Sequence, residues 1–200
     1  MRRFILVPVA CTMLLAAVSC SGSTAGTPHP TVSSSAATAS SRLAPPLGQP
    51  PLDTSRFEAD PCQALRPEQL AQFGNHRQPK KQDPIAGPNC AWVAANPMVD
   101  TTVGIDINTK SGGLEGIYQR RDKFGHFQPT TIAGYPAVQA IDYRDAPKQG
   151  DCVTLVGVAE ERLITASIAI GDRKHPDYSS ACKISDQAAA LVIENLKGAK

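Results

Sequence analysis

The sequence predicts an α+β domain, a mostly antiparallel sheet of about five to six strands with helices packed on one face and two disulfide bonds. Segment 100–108 alternates apolar and polar residues with period two, which is typical of a half-buried strand. Segments 152–159 and 163–170 are rich in Val, Ile and small residues, and the short polar stretch between them predicts a hairpin. Residues 181–196 repeat apolar side chains at helical spacing.

The elements follow in chain order. Pro67 at a first turn and Gly74 as a stop predict a short helix over 67–73. Apolar content then predicts strands at 90–95 and 100–108, the second with Val103, Ile105 and Ile107 on its buried face.

A glycine turn leads into a helix over 113–122, with Leu114, Ile117 and Tyr118 at helical spacing. Strands at 135–142, 152–159 and 163–170 come next, the last two joined by Glu160, Glu161 and Arg162. Asp177 or Ser179 caps a closing helix that Gly198 ends, and its apolar stripe is formed by Ala181, Ile184, Ala188, Leu191, Val192 and Leu196. Because hairpin neighbours dominate, the sheet is expected to be mostly antiparallel.

The N-terminus has the organisation of a secretory signal. Arg2 and Arg3 precede a fifteen-residue apolar stretch, 4–18, which is shorter than the roughly 20 residues that span a bilayer. The segment ending in Cys20 resembles the bacterial lipobox, which implies addition of a diacylglyceryl group to the Cys20 sulfur, cleavage before Cys20 and acylation of the new amino terminus with a palmitate-type chain. Ala17 departs from the leucine that the lipobox favours, so an ordinary secretory signal is the alternative.

Three regions are therefore predicted: a lipoprotein signal peptide over 1–19, a lipidated tether over 20–54 and one globular domain over 55–200. The tether is rich in Ser, Thr, Ala and Pro and has too few large apolar residues to offset the entropy of folding. Two or more acyl chains on Cys20 suffice for stable membrane anchoring.

Charge argues against nucleic acid as a partner. Removing Arg2 and Arg3 with the signal leaves 18 Lys/Arg against 18 Asp/Glu, a formal net charge of zero. Phosphate binding needs a basic surface, and this composition provides no excess of basic residues.

Four cysteines fall in the predicted domain: Cys62, Cys90, Cys152 and Cys182. Their separations of 28, 62 and 30 residues do not match the close ligand pairs of a zinc site, so neither a metal nor a cofactor is predicted. Disulfides fit an exported chain, and three connectivities are open. The shorter loops favour pairing Cys62 with Cys90 and Cys152 with Cys182.

No enzyme is predicted, because the sequence contains no nucleophile-elbow, zinc-protease or phosphate-loop motif. A triad assembled from scattered residues such as Ser111, Asp106 and His126 remains the alternative, and it requires these side chains to meet in space. Trp92 is expected either to pack in the core beside a disulfide or to form a ligand platform.

A family resemblance rests on motifs in a fixed order. They are Asp60-Pro61-Cys62, the Pro67-Glu68-Gln69-Leu70 helix, Asn89-Cys90-Ala91-Trp92, Gly134-Tyr135-Pro136-Ala137-Val138, Cys152 in a strand and Cys182 before the last helix. In this order and with the lipobox, the chain resembles the actinobacterial lipoproteins of the domain of unknown function 3558 type. The resemblance implies a lipid-anchored, disulfide-bonded envelope protein without an established catalytic activity.

The expected function is a noncatalytic module that binds a lipid, a glycan or a small ligand, anchored through Cys20 to the extracytoplasmic face of the cell membrane. The alternative is a protein-interaction subunit of an envelope transport, secretion or cell-wall machine, which predicts a large apolar surface patch. The ligand-binding residues are not predicted by any motif.

Overall fold

The computed structural model describes residues 42–143 and 146–198. Cys20, the signal peptide and the tether up to residue 41 lie outside the described residues. The helices are α1 (Ser55–Ala59), α2 (Pro67–Leu70), α3 (Gly113–Tyr118) and α4 (Ala181–Gly198). The strands are β1 (Lys80–Gln82), β2 (Asn89–Trp92), β3 (Thr101–Asn108), β4 (His126–Ile132), β5 (Tyr135–Ile141), β6 (Asp151–Ala159) and β7 (Arg162–Ile170).

The strands form one antiparallel sheet of seven strands in the order β1-β2-β3-β7-β6-β5-β4. The predicted α+β class is confirmed, with more strands than the five to six expected. The two additional strands, β1 and β4, are the two edges of the sheet. No helix among the described residues is long and apolar enough to cross a bilayer.

The main core lies between the sheet and α4. Val103, Ile105 and Ile107 of β3 are fully buried on this face, as their period-two alternation predicts. Val192 and Ile193 of α4 are also fully buried against the sheet. Each such side chain contributes roughly 1.5 to 3 kcal/mol through burial.

A smaller core lies on the opposite face of the sheet, under α3. Leu114, Ile117 and Tyr118 pack there against strand residues that include Val138 and Leu163. The helices were expected on one face, and the structure places α3 on the other.

Glycine permits the close approach at the start of α3. Gly113 has φ of 60°, and a Cβ atom at this position would lie 1.8 Å from the carbonyl oxygen of Glu160. Any side chain would therefore displace the β6–β7 turn, and the predicted glycine turn into this helix has a steric cause.

Strand β4 is an edge strand whose central proline is compatible with pairing. Ala133 and Gly134 both have positive φ and form a two-residue loop that closes the β4–β5 hairpin at Ile132 and Tyr135. In an antiparallel hairpin every second residue pair is hydrogen-bonded, counted here from Ile132 and Tyr135 beside the loop. Pro129 falls in a pair that is not hydrogen-bonded, so its backbone nitrogen faces away from β5. The missing N–H of Pro129 therefore removes no bond of the ladder, and it blunts the free edge.

Both disulfides form in the pairing that the shorter loops favour. Cys62 bonds to Cys90, which joins the segment after α1 to β2. Cys152 bonds to Cys182, which joins β6 to the first turn of α4. Trp92 is 3 % exposed in the α4-side core, so its core interpretation holds.

Residues 42–54, which composition assigns to the tether, lie against the domain, and we call them the N-terminal strap. Arg42 Nη1 donates to Glu160 Oε1 over 2.8 Å. The backbone N–H of Ala44 donates to Glu115 Oε2 over 2.8 Å, and Ala44 is buried in the α3-side core. The strap then crosses to the α4 side, where Leu52 packs against the main core.

The strap runs along one end of the sheet, which we call the proximal end. The connections at this end are 83–88, 109–112, 133–134 and 160–161. The opposite, distal end holds the connections 93–100 and 171–180. Helix α4 begins at the distal end beside Cys152 and reaches the proximal end with its last turn.

Candidate ligand-binding groove

An open groove of about 810 Å³ lies at the proximal end, between the strap and the last turn of α4. Its lining residues are Gln49, Pro50, Pro51, Leu52, Asp53, Arg56, Tyr135, Leu196 and Lys197. The volume is within the range of roughly 300 to 1,000 Å³ that is common for small-molecule sites.

The strap forms one wall of the groove and is held by main-chain contacts. The hydroxyl of Tyr135 donates to the carbonyl oxygen of Pro50 over 2.7 Å. The N–H of Leu52 donates to the carbonyl oxygen of Val158 over 2.9 Å. Prolines restrict φ, so this wall has little conformational freedom once it is docked.

The last turn of α4 forms the facing wall. Leu196 is buried, and Lys197 is exposed. The Lys197 ammonium donates to the carbonyl oxygen of Ala133 over 2.9 Å and lies 5.1 Å from the centroid of the Tyr135 ring. These contacts hold the Lys197 cation over a buried aromatic ring.

A buried amide pair fixes this end of α4. Asn195 Nδ2 donates to Gln69 Oε1 over 2.8 Å, and Gln69 Nε2 donates to Asn195 Oδ1 over 3.2 Å. Asn195 Nδ2 also donates to the carbonyl oxygen of Ala64 over 2.8 Å, and Arg66 Nη1 donates to Asn195 Oδ1. The turn that carries Leu196 is thereby held against the segment around α2.

Three charged residues line the groove. The guanidinium of Arg56 lies 4.9 Å from the ring centroid of Phe57, the next residue. The Ser55 N–H donates to Asp53 Oδ1 over 2.9 Å and holds the pKa of the Asp53 carboxyl below its ordinary value, so this group stays negative at neutral pH. With Arg56 and Lys197 positive, the lining carries a net charge of +1.

The lining of the groove has a polar group that stays neutral. Burial raises the pKa of the Tyr135 phenol, which keeps its proton for the hydrogen bond to Pro50. Tyr135 is 1 % exposed and therefore serves the groove as a latch on the strap.

The structure does not bring Ser111, Asp106 and His126 together. Asp106 lies on β3 and His126 on β4, and β7, β6 and β5 separate these strands by about 19 Å at 4.8 Å per strand. The two side chains also belong to opposite faces, because Ile105 and Ile107 flank Asp106 in the α4-side core and His126 pairs with Ile141 on that side.

Asp106 has a structural environment. It accepts a hydrogen bond from Asn89 Nδ2 over 2.7 Å, and burial raises the pKa of its carboxyl. Asn89 Oδ1 and the neighbouring Thr165 Oγ1 are buried and make no hydrogen bond among the described residues. These three residues form one row across β2, β3 and β7.

The described histidines lie apart. His76 Nε2 is bonded to the carbonyl oxygen of Thr101 over 2.9 Å, and His175 Nδ1 accepts from the N–H of Asp177 over 3.1 Å. Within residues 42–143 and 146–198, no three His, Cys, Asp or Glu side chains are grouped as a metal site.

Sequence reasoning missed the residues of the groove. Pro51 and Arg56 lie more than 140 residues before Lys197 in the chain, and none of the three carries a recognisable motif. The proline pairs of the strap were the one available signal, since Pro50-Pro51 indicates a stiff segment within an otherwise flexible composition.

The fold and the groove define a disulfide-bonded α+β domain whose ligand-sized site is built from the strap and the end of α4. The chain belongs to the family described as Protein of unknown function (DUF3558), which matches residues 15–195. The expected membership in this family is confirmed. No curated protein and no solved structure matches the chain.

Proposed function

We propose that this protein is a lipid-anchored, noncatalytic binding module on the extracytoplasmic face of the membrane, and that it holds a small lipid-like or glycan ligand in the groove. The observation that carries the proposal is the groove itself. It combines an apolar floor with a few polar groups at its sides, which is the usual composition of a ligand site.

The position of the groove supports a membrane-linked role. The described chain begins at Arg42, which is fixed to Glu160 at the proximal end of the sheet. The groove opens at the same end, with residues 49–53 of the strap as its wall. An anchor at Cys20 would therefore join the domain on the side where the ligand binds.

The noncatalytic part of the proposal is supported by the separation of Asp106 from His126. General acid–base catalysis requires groups within hydrogen-bond reach of one reacting atom. The groove is lined by Asp53, Arg56 and Lys197, and none of its lining residues is a histidine, cysteine or serine. Binding is the chemistry that this set of residues supports.

Native mass spectrometry on residues 21–200, secreted from an actinobacterial host, tests ligand binding. We expect a stoichiometric bound mass that Pro51→Trp abolishes, because the indole would occupy the groove. Pro45→Trp is the matched control, since Pro45 is exposed on the same strap outside the groove. A ligand-free wild-type mass, or a bound mass that survives Pro51→Trp, would contradict the proposal.

The anchor has its own test. The intact mass of protein extracted from the membrane should equal residues 20–200 plus acyl groups, and Cys20→Ala should remove the acyl mass. Cys11→Ala is the control, because Cys11 lies within the apolar signal stretch and should leave acylation unchanged. An unmodified chain in the wild-type membrane fraction would reject acylation at Cys20.

One observation favours the alternative of a protein-interaction subunit. Met98 and Val99 are adjacent at the distal end and are 57 % and 61 % exposed. Large contiguous apolar patches are typical of docking sites, and this adjacent pair is a small one. Crosslinking in the envelope should then depend on Val99, and loss of a crosslinked partner in Val99→Asp would favour this role over ligand binding.

A further inference from the structure

We infer that the ligand is an anionic amphiphile, with one or more apolar chains along the floor of the groove and a phosphate or carboxylate head between Arg56 and Lys197. This inference rests on the proposed binding function and names the ligand class for the same groove. It follows from the charges at the rim, the character of the floor and the position of the opening.

The charges at the rim of the groove favour an anionic ligand. Among the described residues, neither Arg56 nor Lys197 forms an ion pair with a carboxylate. The nearby Arg162, by contrast, pairs with Glu58 over 3.1 Å. Two cations without protein counter-ions on one groove are complementary to an anionic group of the ligand.

The charges of the lining residues determine where the head group of the ligand would lie. Asp53 lies on the strap wall and keeps its negative charge, since the Ser55 N–H donates to it. An anion is repelled by Asp53 and attracted to Arg56 of α1 and to Lys197 on the facing wall. The Lys197 ammonium lies 5.1 Å from the centroid of the buried Tyr135 ring, so the head group would lie beside the last turn of α4.

The apolar surface of the groove favours an alkyl chain as part of the ligand. The exposed prolines Pro50 and Pro51 and the half-buried Leu52 supply the accessible aliphatic surface. Leu196 and Tyr135 are 6 % and 1 % exposed and lie buried in the lining, where the Tyr135 hydroxyl is bonded to the strap. A bound sugar has hydroxyl groups that each need a polar partner. The floor offers few such partners, so its surface favours an alkyl chain over a glycan.

The position of the groove bears on the source of the ligand. The groove opens at the proximal end, where Arg42 begins the described chain and where a Cys20 anchor would connect. An acylated Cys20 would keep the protein at a membrane, and a membrane is a source of amphiphiles. A phospholipid, a lysophospholipid and a fatty acid share the required chemistry of a chain with an anionic head.

The experiment compares ligands that share one chain length and differ in the head group. Residues 21–200 are titrated in a calorimetric assay with dodecyl phosphate, dodecyl maltoside and dodecyl trimethylammonium, each below its micelle concentration, and with inorganic phosphate. We expect dodecyl phosphate to bind about tenfold or more tightly than the neutral and cationic probes, and inorganic phosphate alone to bind weakly.

The variants Arg56→Gln and Lys197→Gln assign the charge effect to the groove. Together they should weaken dodecyl phosphate binding by about tenfold and leave dodecyl maltoside nearly unchanged. Lys110→Gln is the matched control, because Lys110 is an exposed cation at the same end and does not line the groove. Both substituted side chains are exposed, so thermal unfolding should match the wild type and show that the fold is kept.

The outcomes separate this inference from the proposed function. Equal or tighter binding of dodecyl maltoside, or no effect of the double variant, would overturn the anionic class and leave a binding groove. Failure of every dodecyl probe to bind would reject the amphiphile, and the native mass spectrum would then decide whether the groove holds any ligand. Lipid extracted from the wild-type protein but absent from the double variant would identify the bilayer as the source.

Discussion

The amide pair of Asn195 and Gln69 should make one of the largest contributions of any polar contact in the domain to the free energy of unfolding. Asn195 is 7 % exposed and Gln69 is 3 % exposed, and two hydrogen bonds join their side chains. A third bond runs from Asn195 to the Ala64 carbonyl. At about 1 kcal/mol for each buried bond, Asn195→Leu should cost about 3 kcal/mol. Gln69 Nε2 and the Ala64 carbonyl lose their partner, and Gln69 Oε1 keeps only the Arg66 N–H. Arg66 is half exposed and regains water, so it adds little.

The double variant tests whether the two amides act as a unit. Gln69→Leu with Asn195→Leu removes both partners together, so the cost should fall short of the sum of the single variants by about 2 kcal/mol, the value of two shared bonds. Urea unfolding followed by the buried Trp92, the single tryptophan, supplies the free energies. The exposed amide pair Gln187–Gln72 is the matched control, and Gln187→Leu should change stability by less than about 0.5 kcal/mol.

The losses in unfolding free energy of Asn195→Leu and Gln69→Leu would refute the reasoning if they summed to that of the double variant within about 0.5 kcal/mol, since the two residues would then act independently. The same variants bear on the groove, because Asn195 is adjacent to Leu196 and Lys197. A loosened last turn of α4 should weaken dodecyl phosphate binding as well as stability.

Two further predictions concern the remaining constraints on the chain. Replacing Cys152 and Cys182 together by Ala should lower the free energy of unfolding by roughly 3 to 4 kcal/mol from loop-closure entropy over 30 residues; a loss below about 1 kcal/mol in urea unfolding would contradict this mechanism. The strap should loosen in acid, because the N–H groups of Ala44 and Leu43 lower the pKa of Glu115 below its ordinary value of 4.5. A lowered pKa in the folded state stabilises docking above about pH 4.5, and this stabilisation is lost as the pH falls through the folded pKa. Exchange protection of the Ala44 N–H, measured by NMR, should fall as the pH is lowered below about 4.5, and Glu115→Gln should remove that dependence.

The central strands were predictable because burial imposes their pattern. In β3, alternate residues face the α4-side core, so the sequence alternates in the same way. Edge strand β1 is exposed throughout, β4 is exposed or half-buried except at Ile132, and neither sequence carries an apolar alternation. A proline such as Pro129 is unfavourable inside a strand, and only the register of the hairpin shows that its missing N–H faces outward.

Helix α4 shows where a helical pattern is informative and where it stops. The predicted stripe includes Val192 and Leu196, which are buried, but also Ile184 and Leu191, which are only partly buried. The structure instead buries Ser185, whose hydroxyl donates to the Ala166 carbonyl over 2.8 Å. Polar residues in a core are invisible to an apolar pattern, because their partners come from distant parts of the chain.

The candidate groove was beyond sequence reasoning for the same reason. Arg56, Tyr135 and Lys197 are brought together by the strap, a hairpin and the end of α4. The strap itself has the composition of a linker, and it docks because Glu115 and Tyr135 supply partners for its backbone.

The sequence by itself determined the α+β class, the central strands, the closing helix and the cysteines available for pairing, and it placed the chain in its family through short ordered motifs. These features are local, since period, turn residues and spacing are written in consecutive positions. The tertiary structure alone decided the edge strands, the docking of the strap, the buried Asn195 amide and the groove. Each of these depends on groups that are distant in the chain and come into contact only when the sheet has formed.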